Sequence, residues 1–561
     1  MRATNMKKAI SKTRLLLAPV AAMVLLFTVA AHAAAPGIAG TSFALTAAPA
    51  YLNQPDGQAV YSWGYGCTTA PATSAFRPPL NPAVATPFCN AMQVPGPTLI
   101  VTEGQTVTVT LTNALPTAAG NTSILFPGFT LTSTCPTGQQ GLLTCEAAPG
   151  GTVTYSFVAS SPGTRAYYSG TQGDLQVEMG LYGAIIVLPN GTPTNGSCPT
   201  HNTAAGVNTA GTALVSGGES DFRLSTTGAA YHLTQSCYDR EYLFQFSEMD
   251  PNIHRQALNQ VTLKGACTAG AVGCSLEVPT EPYHPAYFMI NGRSMPDDMD
   301  PNYAPEYQHQ PYNGNPHMHP GENVLLRIIG QGRWQHPFHE HGNHVRILAR
   351  DGNIILSATD PTQLAGPLFF TTTTTPGVAM DGIFYWTAKG LNWDAYGHHA
   401  GADPYSDPLA TLACTPDANG YNTGSLTAVN YYEWCQDHNK PVQQFPFGDV
   451  AANGPVTLPD PNLFTNGPWY GGSPYLGPDA TLRATGCSSN GGVNGTQTSC
   501  GQTGSTPPSG TIANPPGSEA GFAFMWHSHN EREITTNNIF PGGMLMMMLV
   551  DSREFPIDET F

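Results

Sequence analysis

Charge is scarce in this 561-residue chain, and positive charge scarcest. Only 11% of the residues are Asp, Glu, Lys or Arg, and 21 basic side chains face 38 acidic ones. Without a basic stripe there is no footprint for nucleic acid, because phosphate recognition rests on clustered Lys and Arg. Long apolar runs are missing beyond Ala30, so no later segment is built to cross a bilayer as a helix. None of the twelve cysteines has the CxxC spacing of a zinc or dithiol-redox site. A nucleophile elbow and a phosphate-cradling glycine loop are absent too.

What is present starts with a basic N-terminus (Arg2, Lys7, Lys8, Lys12, Arg14), an apolar run from Leu15 to Ala30, and Ala31-His32-Ala33. That order predicts a secretory signal peptide over 1–33 and a mature start near Ala34, with an uncleaved anchor as the alternative. Its removal takes away five basic residues and leaves 16 against 38 acidic ones, a formal charge near −22. Such a chain is soluble and repels nucleic acid, and it is expected in the periplasm, at the cell surface or outside the cell. The cysteines fall into neighbouring pairs, Cys67/Cys89, Cys135/Cys145, Cys198/Cys237, Cys267/Cys274, Cys414/Cys435 and Cys487/Cys500. An even count in an exported protein reads as disulfides, here staples across loops.

With 60 Gly and 50 Pro the chain reads as β-rich and loop-rich. Gly104-Gln-Thr-Val-Thr-Val-Thr-Leu-Thr-Asn113 alternates with period two, as a half-buried sandwich strand must. Similar runs at Tyr61–Gly66, Gly151–Val158 and Gly180–Val187 close a first β-sandwich over 41–190. A Gly/Thr/Ser/Asn-rich linker is expected over 191–235. Strand signals return at Arg240–Phe246, Tyr287–Gly292, Glu322–Ile329, His344–Ala349 and Met544–Val550, giving a second sandwich over 236–561. A loop-rich insertion is expected within it, 355–520, whose end from Gly486 to Glu519 is low in complexity.

Two extended segments of the second sandwich carry the chemistry. In His336-Pro-Phe-His339-Glu-His341-Gly-Asn-His344 and in His527-Ser528-His529, histidines two apart point to one face of a strand. Facing His-x-His strands are a metal-site arrangement, because neutral imidazole suits copper and zinc. Weaker candidates are His317-Met-His319 and His398-His399. Met546, Met547 and Met548 read as core packing on a last strand, and Asp297, Asp298 and Asp300 as a solvated turn.

Four motifs together, Val94-Pro-Gly-Pro-Thr-Leu99, Gly180-Leu-Tyr-Gly183, the His336–Gly342 block and His527-Ser-His529 with Gly-Gly-Met544, resemble multicopper oxidases. The resemblance spans both sandwiches and implies an all-β chain of two cupredoxin-like Greek-key domains, closer to the two-domain branch than to three-domain laccases. It also implies a blue copper held by two His, a Cys and often a Met, feeding electrons to a three-copper cluster held by eight His. Four of those eight come from the first domain, and here their positions read Leu125, Pro127, Tyr168 and Gly170. The other four are present as His339, His341, His527 and His529. At the blue-copper position His336 and Met544 remain, but Ser528 stands for the cysteine and Glu533 for the second histidine.

A serine hydroxyl is a hard, weak donor where the family needs a soft thiolate, so no blue copper and no electron relay of the usual kind are expected. The four remaining imidazoles form half a cluster, expected to hold copper in fewer than four ions, with zinc as the other suitable metal. Tyr168, Glu531, Glu533 and His344 are the residues at hand to complete it. An oxidoreductase with an unconventional centre, acting on a small molecule or a metal ion, is one reading. A metal-free structural or interaction protein of the envelope is the other. A homo-oligomer fits the two-domain branch, although identical subunits would bring the same depleted first domain.

Overall fold

In the computed structural model the described residues are 35–78, 88–89, 92–198, 228–389, 413–424, 432, 434–436, 472–476, 512–513, 521–551 and 557. The expected leader, most of the linker and insertion, His398-His399 and the Cys487/Cys500 pair lie outside them. Alternation dictates the local structure where the pattern is cleanest. In Thr106–Asn113 the residues Val107, Val109 and Leu111 are buried and the threonines between them look outward.

Four sheets stack as two sandwiches. In the first, one sheet runs Phe76–Arg77, Gly37–Ala39, Leu99–Thr102, Tyr182–Leu188, Gly163–Tyr168. Its partner runs Met92–Gln93, Ala59–Cys67, Ser42–Asn53, Thr106–Asn113, Thr152–Val158. In the second sandwich, one sheet orders Tyr287–Ile290, Arg240–Met249, Asn323–Gly330, Ala379–Tyr385, Val345–Arg350, Asn353–Ile354, with Leu368–Phe369 also paired to Val345–Arg350. The opposite sheet orders His317–Met318, Leu545–Asp551, Gly521–Ser528, His336–His339, Thr371–Thr374, extended by Gly472–Leu476 and Ile512–Ala513. Strands far apart in sequence lie side by side and the chain crosses between sheets, as in Greek-key sandwiches. The all-β expectation holds.

The two sandwiches meet across a buried polar seam. Arg327 pairs with Glu241 at 3.1 Å and with Asp381 at 3.6 Å, and Asp381 accepts the Thr164 hydroxyl at 2.6 Å. Ala166, Ala184 and Ile186 of one sandwich pack on Leu243, Ile329 and Ala379 of the other. Five disulfides form with the expected partners: Cys67–Cys89, Cys135–Cys145, Cys198–Cys237, Cys267–Cys274 and Cys414–Cys435.

Three features differ from expectation. The start of the supposed insertion supplies Thr371–Thr374 and Ala379–Tyr385, strands inside the two sheets. A helix, Pro251–Leu263, begins at Asp250, whose side chain accepts the Asn252 N–H, with Pro251 in the first turn where its missing N–H costs nothing. Asp298, expected in a solvated turn, is fully buried, and burial pushes its carboxyl well up. Met546 and Met548 do face the core, with Met547 between them half-buried.

Candidate metal centre

Strand register builds the site. His336–His339 runs antiparallel to Gly521–Ser528, with Phe338 opposite Ser528 and His339 opposite His527. On its other side it pairs with Thr371–Thr374, placing His339 opposite Thr371. Directly opposed residues share a face, so His339 and His527 meet. His341 and His529, two residues further along, come to the same side.

The four rings stand together. Centroid separations are 4.7 Å for His339–His341, 5.4 Å for His339–His527, 4.8 Å for His339–His529 and 5.2 Å for His341–His527. One nitrogen from each of His339, His341 and His527 lies within 4.8 Å of the others, a group able to hold a metal ion. His529 belongs to the ring cluster but is exposed, and its ring sits 5.9 Å from His527. His339 is buried, while His341 and His527 are half-buried.

Hydrogen bonds choose the donor atoms. His527 Nδ1 donates to the Ser528 carbonyl at 2.7 Å, which leaves the Nε2 lone pair for a ligand. His339 Nδ1 lies 2.7 Å from the Thr371 hydroxyl, which holds the ring in place. The Nε2 atoms of His341 and His527 approach to 3.2 Å. With the His527 proton on Nδ1, His341 Nε2 donates to His527 Nε2. Burial, and then the neighbouring imidazoles, push His339 down to about 4, and burial lowers His527. Both rings are therefore neutral near pH 7, the form that ligates metal. This donor set fits copper or zinc.

Glu340 points to the other side of its strand. It is buried, accepts the Thr372 hydroxyl at 2.9 Å, and is pushed up to about 8 by burial, so it is neutral near pH 7.

The other candidate position has a different occupant. His336 Nε2 lies 2.9 Å from Glu248 Oε2, and its Nδ1 lies 2.9 Å from Glu533 Oε2 in a close, poorly aligned ion pair. Burial alone would depress this imidazole, but the two carboxylates raise it to about 9. The two carboxylates thus favour the protonated ring, with Nε2 against Glu248 and Nδ1 close to Glu533. Ser528 donates to Glu533 Oε2 at 2.5 Å, and Met544 is fully buried in the core.

The first-sandwich positions have repacked. The amide of Leu125 donates to the Tyr168 carbonyl at 2.7 Å, and a Cβ at Gly170 would stand 2.7 Å from Leu125 Cγ. Leu125 therefore fills the space that a side chain at 170 would need. Leu125, Tyr168 and Gly170 line a mostly apolar cleft of about 300 Å³ with Gln331, Arg333 and Gly377. Tyr168 faces this cleft, Glu531 is exposed, and His344 packs edge-on against Phe370 at 5.0 Å. His319 is buried with its amide on Glu322, and neither it nor His317 enters the three-histidine group. Sequence reasoning missed Glu248 and Thr371. A carboxylate within a strand was the only hint of the first, and the Thr371–Thr374 run the only hint of the second.

Comparison with known proteins gives a match over part of the chain. Residues 79–192 match the family model described as multicopper oxidase. An L-ascorbate oxidase from Brassica rapa subsp. pekinensis is 40% identical over 96 residues, 17% of this chain and 16% of that protein. Laccase-3 of Botryotinia fuckeliana is 37% identical over 102 residues, 18% of this chain and 21% of that protein. The aligned stretches thus span about a fifth or less of these relatives. Among solved structures, a blue copper oxidase from Nitrosomonas europaea aligns over 90% of this chain and 85% of its own, with 14% identity and a TM-score of 0.41. Over this stretch of its first sandwich the chain is similar to multicopper oxidases.

Proposed function

We propose that this is an exported oxidoreductase that holds copper through His339, His341, His527 and His529, in fewer than four ions, with no blue copper. The observation that carries the reading is the convergence of His339, His341 and His527 nitrogens within 4.8 Å, in a family whose chemistry implies copper. Bound there, copper would supply a one-electron couple. The chain's own residues do the rest. The Ser528 carbonyl fixes the His527 tautomer, Thr371 orients the His339 ring, and the half-open face at His529 admits a small molecule or a metal ion from solvent. With Ser528 in place of a thiolate there is no sulfur relay beside the centre, so a reductant would have to approach a bound copper at that face.

Metal analysis of the purified protein tests this. The expected result is one or two coppers per chain, lost in His339→Ala or His527→Ala. Four coppers with a strong thiolate band in the visible would overturn it. Zinc in place of copper would point away from redox chemistry. A metal-free envelope role is the competing reading, favoured by the repacking of Leu125 against Gly170, and it requires no metal after reconstitution.

A further inference from the structure

The strand pair that presents the histidines is joined over a short register, with the His529 amide on the Pro337 carbonyl at 2.7 Å just beyond it. Between His336–His339 and Gly521–Ser528 only two register pairs form, Phe338 with Ser528 and His339 with His527. On the face opposite the imidazoles, a second linkage ties the same strands. Glu533 Oε2 sits 2.9 Å from His336 Nδ1 on one strand and accepts from Ser528 Oγ at 2.5 Å on the other. Asn530 reinforces it, its side-chain amide donating to Glu533 Oε1 at 2.9 Å and its backbone amide to Ser528 Oγ at 3.2 Å.

The linkage continues across the sandwich. His336 Nε2 meets Glu248 Oε2 at 2.9 Å, and Glu248 lies in Arg240–Met249 of the facing sheet. Glu248 Oε1 accepts from the Arg333 and Trp334 amides at 2.7 and 2.8 Å and from the Tyr283 hydroxyl at 3.1 Å. Glu248, His336, Ser528 and Glu533 are each at most 1% exposed. Buried charges survive only when paired and hydrogen-bonded, so these partners fix one another's positions.

We infer that the Glu248–His336–Glu533–Ser528 clamp is a positioning unit that sets the spacing of His339 against His527 from the back of the sheet. It rests on the copper reading for its function, but its geometry does not. Ser528 stands between His527 and His529, and His336 opens the strand that carries His339, so a slackened clamp lets the two ligand strands slide. Where the family places a metal and a sulfur, this chain has a proton-bearing ring and two carboxylates that hold the neighbouring site in register.

The test compares the full chain with Glu533→Gln, using Cu(II) alone as probe. Affinity by chelator competition and the Cu(II) EPR spectrum are recorded, with thermal stability alongside. A weakening of ten-fold or more with a mixed hyperfine pattern supports positioning, in the range known for residues that orient metal ligands. A lower melting temperature with wild-type affinity and spectrum overturns it, since a merely structural pair would do that. Should Glu533→Gln not fold, Ser528→Ala, which removes one hydroxyl, decides by the same readings. If the wild type takes up no copper, the proposed function fails while the clamp is still judged. A crystal structure of metal-free Glu533→Gln that keeps the His339–His527 separation near 5.4 Å overturns it, and a displaced pair supports it.

Discussion

Replacing His336 by glutamine keeps a polar side chain in the clamp but removes the positive charge between Glu248 and Glu533. The wild-type ring is raised from 6.5 to about 9. At about 1.4 kcal/mol per unit, that difference makes the protonated ring worth about 3 kcal/mol of folding free energy. The direction follows from proton linkage. A base held more strongly protonated in the folded state contributes fully below its unfolded value, here near 6.5, and the contribution is lost as pH rises through about 9. In the variant two buried carboxylates lose their counter-charge, for which breaking a buried pair suggests about 3–5 kcal/mol at pH 6. The assay is urea unfolding of the metal-free protein with disulfides intact, at pH 6, 7.5 and 9.5. Titrating groups away from the clamp cancel in the difference between wild type and variant. That difference should shrink by about 3 kcal/mol between pH 6 and pH 9.5. A gap that stays constant across the range would refute the imidazolium assignment.

Thr371→Val removes the hydroxyl beside His339 Nδ1 and should weaken Cu(II) binding by about ten-fold or more, measured by competition titration, with little change in fold. Gly170→Ala drives a methyl into Leu125 and should destabilise by about 1–3 kcal/mol in chemical denaturation, and the Leu125→Ala/Gly170→Ala double variant should recover part of that loss. Removing the Cys198–Cys237 bridge, whose ends are separated by 39 in sequence, should lower stability by about 4 kcal/mol on the loop-entropy estimate, read by the same denaturation.

What the sequence discloses and what it conceals divide along sequence distance. Period-two alternation is local, so Val107, Val109 and Leu111 declare their face without help from the rest of the chain. The His-x-His pairs declare theirs for the same reason, although only the register Phe338–Ser528, His339–His527 shows that the two strands are neighbours. The partner of His336 was illegible, because Glu248 lies 88 residues away and carries no spacing that points to it. Thr371–Thr374 hid inside a supposed insertion because an unbroken threonine run shows no period-two alternation. In the sheet Thr372 and Thr374 are buried, their hydroxyls bonded to the strand beside them. Asp250-Pro251 was a readable helix start that the surrounding strand pattern masked, and Asp298 was misplaced because composition says nothing about which turns are buried.

The most direct measurement is pulsed EPR on the Cu(II)-loaded chain, counting the imidazole nitrogens coupled to the metal. Three or four coupled imidazoles, falling by one in His527→Ala, are the expected result. A copper with one imidazole or none, or one coupled to sulfur, would contradict the assignment of the centre to His339, His341, His527 and His529.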